Sequence, residues 1–293
     1  MKYTFQEFIK EYPTDELCLD KIMGMKYGST PICPGCGTET KFHRITKRRA
    51  YACQHCGHHV YPCVGTPFEK SRTSLQKWFY AMFLFTASKH GVPAKELERQ
   101  LGVTYKCAWR IAHELRKLMA NSDDHGPMSG HVEIDETYVG GKPRKKNSEH
   151  YTKRKTAVFG MLQRDGIVRA GVLPAVRQKT IFKIITQNVQ RGSTISTDEF
   201  QLYKPLKDFG YEHGTVNHSI GEYAYKGFST NGMEGYWSRL KNSIRGTHIH
   251  VSRKHLWKYV SEFSYRYNHR KTSHGEMFTD LVSCLQLPHL TES

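Results

Sequence analysis

The sequence predicts a multidomain α+β protein, with a small metal-stapled ribbon and a helical region ahead of a mixed α/β domain. Three observations predict it. Two Cys-x-x-Cys pairs, Cys33–Cys36 and Cys53–Cys56, stand sixteen residues apart near the start. Apolar residues then recur at helical spacing from about Ser74 to Met119. From Gly130 onward, short strand-like runs alternate with helical ones. The predicted divisions are 1–68 for the ribbon region, 69–122 for the helical region and 128–293 for the α/β domain. The breaker-rich stretch Ala120 to Pro127 separates the last two.

At 293 residues and 38% hydrophobic, the chain can bury a substantial core. Its 44 lysines and arginines against 27 acids leave a formal charge of +17, with a pI near 9.5. That excess points to a polyanionic partner, because each phosphate neutralised by a cation releases condensed counterions. No run approaches the ~18 apolar residues of a bilayer span, and Met1 to Glu7 lacks the apolar core of a signal peptide. The expectation is a cytoplasmic protein without a membrane partner. Eight cysteines in such a compartment read as metal ligands or buried thiols, not disulfides.

Taken in order, the cysteine pairs come first. Each tight turn, helped by Gly35 and Gly37 in the first pair, brings two sulfurs to one side. Two such turns make the closed all-cysteine tetrahedron that zinc prefers, with no open position for water. Zn²⁺ on Cys33, Cys36, Cys53 and Cys56 is therefore expected to be structural. Between the pairs, Lys41 to Arg44 and Arg49 to Ala52 read as strands of a small basic hairpin. Cys107 and Cys284 fall within helical patterns and read as core thiols.

The helical region begins with Ser74 to His90, where Gly91 is placed as a C-cap. A short helix, Pro93 to Leu101, ends at Gly102, and Thr104 then caps a longer helix from Tyr105 to Met119. Short helix, glycine turn and longer basic helix form the helix-turn-helix pattern. Lys106 and Arg110, with Tyr105 beside them, are its candidates for touching DNA.

In the α/β domain, His131 to Val139 alternates as a half-buried strand, with Val132 and Ile134 on one face and Glu133 and Asp135 on the other. Acids are poor strand formers, so that face suggests metal ligation or a solvent-exposed edge. Two more strands follow, then a helix from Thr180 to Val189, and Ser193 to Asp198 as a strand delivering Asp198 at its end. After another helix and the short strand Gly214 to Asn217, a long helix starts near Thr230. On it Lys241 lies about 20° from Glu234 and Asn231 about 60°. Acids on the first strand, the fourth strand and the final helix give the layout of an RNase H-like fold. Such a layout suits phosphoryl transfer by two divalent ions about 4 Å apart. Asp135 would bridge them, Asp198 and Glu234 would hold one each, and Lys241 would bind the nucleic-acid backbone. Glu133, Glu136 and Glu199 read as surface or supporting acids. Tyr236 and Trp237 read as core side chains more readily than as platforms for an extruded base.

With these residues in view, the chain resembles the bacterial insertion-sequence transposases that carry an N-terminal zinc ribbon and a DDE-like core (the ISXO-like zinc-ribbon group). The resemblance rests on Cys33 to Cys56, Ile134 to Lys142, Thr197-Asp198, Thr230 to Trp237 through Lys241, and Glu262 to Arg270. It implies excision and joining of a mobile element between its terminal inverted repeats, with magnesium or manganese, by a homo-oligomer that pairs two DNA ends near the nucleoid. Some members place asparagine or histidine at the third catalytic position, which keeps Asn231 beside Glu234 as a candidate. The seven-residue step to Lys241, and the weaker pull of an amide on Mg²⁺, favour Glu234. Lys142, Arg144, Lys145 and Lys146 of the basic loop 142–155, together with Arg239, Lys241 and Arg245, are expected to track phosphates. Two rival readings share these features: a DNA-binding regulator that has lost its chemistry, and an RNase H-like nuclease or resolvase that cuts without joining.

Overall fold

A computed structural model describes residues 3–122, 126–140, 155–216 and 227–286. It divides into two compact units, Met1–Ser122 with Thr272–Ser293, and Asp123–Lys271.

The first unit opens with two helices that the sequence reading left out, α1 (Phe5–Glu11) and α2 (Asp15–Tyr27). Thr4 and Glu7 close a reciprocal capping box on α1, and Thr14 caps α2. These caps are the local sequence signal for the two helices. Three short strands follow, β1 (Phe42–Arg44), β2 (Tyr51–Cys53) and β3 (His59–Val60), paired antiparallel in that order. Next come α3 (Leu75–Ala87), α4 (Ala94–Leu101) and α5 (Tyr105–Asn121). Helix α3 ends earlier than expected, at Ser88, whose hydroxyl turns to donate to the carbonyl of Gly91 at 2.8 Å. The Gly102 turn is left-handed, with φ 57° and ψ 48°, and the Thr104 hydroxyl accepts the Cys107 N–H.

The second unit holds a five-stranded sheet built from β4 (His131–Val139), β5 (Thr156–Gln163), β6 (Val168–Val172), β7 (Thr194–Asp198) and β8 (Glu212–Val216). Its order is β6-β5-β4-β7-β8. The first three strands pair antiparallel, while β7 runs parallel to β4 and β8 parallel to β7. Helix α6 (Gln178–Asn188) lies between β6 and β7 in sequence, and a 3-10 helix, Gln201–Phe209, between β7 and β8. Helices α7 (Asn231–Ser243) and α8 (Leu256–Asn268) follow. The sheet separates two apolar cores. Val132, Ile134, Phe159 and Ile195 pack with Ile181, Phe182 and Tyr203 on one face. Val139, Val158 and Leu162 pack with Met233, Trp237, Leu240 and Val260 on the other. This is the expected RNase H-like arrangement.

A last helix, α9 (His274–Ser283), falls in the first unit, whereas the sequence reading carried the α/β domain to residue 293. Aromatic packing explains its place: Phe278 meets the rings of Tyr3, Phe8, Tyr12 and Phe79.

Candidate functional site

In the first unit, the sulfurs of Cys33, Cys36, Cys53 and Cys56 all lie within 4.8 Å of one another. Cys33 and Cys56 are 3.6 Å apart, and Cys36 and Cys53 are 4.0 Å apart. Tetrahedral zinc with ~2.3 Å bonds requires sulfurs about 3.8 Å apart, so the four positions fit the ion. The two turns are built alike. Gly37 (φ 69°) donates its N–H to Cys33 O, and Gly57 (φ 73°) donates to Cys53 O. At both positions the backbone takes the left-handed form that glycine tolerates. Gly35 is required sterically, since a Cβ there would meet His58 Cγ at 2.7 Å. Hydrogen bonding from the Thr38 backbone draws the Cys36 thiol down to about 6, favouring the thiolate that a metal takes. Zn²⁺ here is structural.

The carboxylates sit in the second unit. Strand β4 lies in the middle of its sheet, so its acids do not mark an exposed edge. The parallel register pairs Glu133 with Ser196. Two residues further on, the same register sets Asp135 level with Asp198, on the sheet face that α7 covers. Asp135 feels both partners: burial first, then the charge of Asp198 and, more weakly, that of Glu234, push its carboxyl up to about 6. Opposing this, the Trp237 indole N–H donates to Asp135 Oδ2 at 3.0 Å. The Asp198 carboxylate turns back on its own loop, where Oδ1 accepts the Phe200 N–H at 3.0 Å. Glu234 is exposed in the first turn of α7, and Trp237 and Lys241 follow it on the helix. Lys241 is held below its ordinary value by burial and by Arg245 and Lys155, against the opposite pull of Asp135. Asn231 is exposed at the start of α7.

Hard carboxylate oxygens beside a cationic side chain are the donor set that Mg²⁺ accepts. The trio is looser than the zinc site. Among the described residues, only the four cysteines close into a tight ligand group of three or more.

Two groups support the carboxylates. Glu133, expected as a surface or supporting acid, takes the supporting part and is 4% exposed. Its Oε2 accepts the Met233 N–H of α7 at 3.1 Å, and its Oε1 accepts Arg164 Nε at 3.1 Å. The alternation of Val132 and Ile134 already placed it on the face of Asp135; its partner a hundred residues away had no signal. The second is Gly160, which pairs with Asp135 across the strands. A Cβ there would lie 2.4 Å from Met233 and 2.7 Å from the Trp237 ring. Glycine at 160 therefore lets the indole reach Asp135. On the opposite face, Glu136 accepts the Tyr203 hydroxyl and is pushed up to about 7, chiefly by burial. Trp237 and Tyr236 are buried, and the Tyr236 and Ser264 hydroxyls hydrogen-bond at 2.9 Å. Both are core residues.

The basic candidates fare unevenly. Lys106 is exposed, but Arg110 donates to Ser71 Oγ at 2.9 Å and lies over the Trp78 ring, so it serves the interior of its own unit. Arg239 is exposed with its guanidinium over Tyr267, and Arg245 is exposed. Lys142, Arg144, Lys145 and Lys146 lie outside the described residues. Among the described residues, no helix is long and apolar enough to cross a membrane.

Residues 127–268 match the ISXO2-like transposase domain, and residues 13–59 match the transposase zinc-ribbon domain. An uncharacterized protein in transposable element ISH50 of Halobacterium salinarum is 26% identical over 279 residues, covering 88% of this chain and 92% of that protein. An uncharacterized transposase-like protein of Haemophilus influenzae is 28% identical over 97 residues, covering 33% of this chain and 77% of its own. Among solved structures, a pre-cleavage Mos1 transpososome aligns with 73% of this chain and 80% of its own, at 11% identity and a TM-score of 0.23. That score bears no weight, and the fold rests on the strand order.

Proposed function

We propose that this chain, which matches the ISXO2-like transposase domain and the transposase zinc-ribbon domain, is a transposase that cuts DNA at the ends of a mobile element and joins those ends to a target. Asp135, Asp198 and Glu234 would carry the chemistry. The observation that supports this most directly is that Asp135, on a central strand, feels acids from a second strand and a helix: burial first, then the charge of Asp198 and more weakly that of Glu234, raise its carboxyl to about 6. So many unneutralised carboxylates on one sheet face favour binding a divalent cation.

Mg²⁺ or Mn²⁺ on these acids would polarise the scissile phosphate and lower the pKa of the attacking water or 3′-hydroxyl. The protein's own residues would do the rest. Trp237 holds Asp135 in one orientation through its indole N–H. Glu133 fixes the start of α7 and thereby the direction from which Glu234 approaches. Lys241, half-buried near Asp135, would pair with a non-bridging phosphate oxygen. Exposed Arg239, Arg245 and Lys106 would track the backbone, and the zinc ribbon and helix-turn-helix would supply further DNA contacts. Glu234 is preferred to Asn231 as the third residue because its charge reaches Asp135. A homo-oligomer would pair the two element ends.

The test is purified protein with Mg²⁺ and DNA carrying the inverted repeats that flank the gene. Nicking at the repeat ends followed by joining is the expected outcome, with Asp135→Ala abolishing both. Cleavage without joining would assign a nuclease or resolvase. Binding without cleavage would assign a regulator.

A further inference from the structure

Residue Ile249 is 84% exposed, more than any other large apolar side chain among the described residues. Its backbone is also unusual, with φ 62° and ψ −55°. The His250 N–H donates to His248 O at 2.6 Å across it, which makes Ile249 the centre of a γ-turn with positive φ. That form is rare and strained, and a β-branched residue there is an outlier. An exposed isoleucine gains nothing from burial to offset the strain, so the surrounding structure must impose the turn. It does so from both sides. The His248 ring packs edge-on against Tyr259 at 4.8 Å, and Val251 packs into the core beneath α7 and α8. Before the turn, α7 passes directly into a π-helical segment, Ile244–His248, and such segments frequently mark functional sites. Arg245, His250, Arg253 and Lys254 are exposed around the turn. The result is a stiff apolar tip flanked along the chain by the exposed cations Arg245, Arg253 and Lys254.

We propose that Ile249 is a wedge that enters duplex DNA between stacked base pairs beside the strand held at the carboxylate site. Flanking cations select a polyanion and an apolar tip selects the inside of a base stack, which is how minor-groove and architectural proteins kink DNA. The π-helical segment follows directly on the helix that carries Glu234, so Ile249 stands roughly 23 Å or less beyond that acid. Distortion is therefore expected within about seven base-pair steps of the cleaved phosphate, at ~3.4 Å per step. The inference rests on the transposase reading and assigns that site a means of opening its substrate.

The experiment uses the full chain with element-end duplexes that carry 2-aminopurine at single positions around the cut. In the wild type with Mg²⁺, fluorescence should rise several-fold at one step. Ile249→Ala and Ile249→Gly should lose that rise, and Ile249→Leu should keep it. The glycine variant relieves the turn, so its melting temperature should equal or exceed that of the wild type, which separates loss of the wedge from loss of the fold. Cleavage by the wild type with no responsive position overturns the wedge and leaves the function standing. One distorted step without any cleavage overturns the function and keeps the wedge. If Ile249→Ala dissociates an oligomer in sedimentation while the fluorescence rise persists, the tip is a protein contact and the proposal fails.

Discussion

The carboxylate of Glu133 accepts the backbone N–H of Met233 at 3.1 Å, across a hundred residues of sequence. Met233 is the third residue of α7, so a strand acid satisfies one of the donors that every helix start leaves open. Its negative charge also faces the positive end of the helix dipole. Glu133→Ala removes this cap and strands Arg164, and should cost about 2 kcal/mol of stability with a larger loss of cleavage, because α7 carries Glu234. Glu133→Gln keeps an acceptor and should retain part of both. Thermal melts and nicking rates on the same preparations check this. Wild-type cleavage by Glu133→Ala would detach the helix start from the chemistry. Gly232→Ala tests the same contact from the other side, since a Cβ there would lie 2.7 Å from Glu133 Oε2.

Trp237→Phe keeps an aromatic ring in the core but removes the N–H that reaches Asp135, together with part of the indole's packing. Cleavage should fall roughly tenfold, about what one hydrogen bond to a charged group contributes. The melting temperature should move by only a few degrees. A still larger rate loss is expected for Gly160→Ala, which pushes the indole off Asp135. Unchanged turnover in Trp237→Phe would make the indole a packing group alone.

The raised Asp135 and Glu136 carboxyls fix the sign of the metal-free pH profile. Both bind protons more tightly in the folded state than in the unfolded chain. Their stabilisation is complete below the ordinary 3.8 and 4.5 and is lost as pH passes about 6 and about 7. Above 6.5, the ordinary value of His131 and His213, those two rings, which burial holds below it, are already neutral and do not oppose this trend. The second unit, stripped of divalent ions, should therefore melt higher near neutrality than at mildly alkaline pH. Added Mg²⁺ should restore stability at the alkaline end by binding the ionised folded form. Asp135→Asn removes one buried charge and should stabilise the metal-free protein by about 1–3 kcal/mol above neutrality, while abolishing cleavage. A metal-free melt that rises from neutrality to alkali would contradict the burial of these acids.

How far the sequence could be read follows the range of each interaction. Gly102 and Thr104 closed their turn as read because caps act within a few residues. The cysteine pairs declared a metal site because each tight turn fixes its own two sulfurs. Asp135 and Asp198 could be read as neighbours because strand alternation and strand order together set a register. Contacts that obey no short period stayed hidden: Glu133 to Met233, Gly160 under Trp237, and Phe278 among the N-terminal aromatics. The partners of Arg110 were hidden for a related reason: the ring and hydroxyl that engage it lie some thirty residues or more upstream.

The zinc centre offers the last test. The ribbon strands are two or three residues long, far too little sheet to hold itself. Cys33 is fully buried while Cys56 is exposed, so chelators can reach the centre from the Cys56 side. A strong chelator should therefore strip the metal, release about one Zn²⁺ per chain and lower the melting temperature of the first unit. The transition of the second unit should stay in place, because its sheet contains none of the four ligands. Cys56→Ser should weaken zinc retention more than it disturbs packing. Cys33→Ser, which leaves a polar group in the buried half of the site, should lose both. DNA-end binding should fall along with the zinc, measured by anisotropy at fixed salt. Full end-binding by a zinc-free chain would confine the metal to folding and remove the ribbon from recognition.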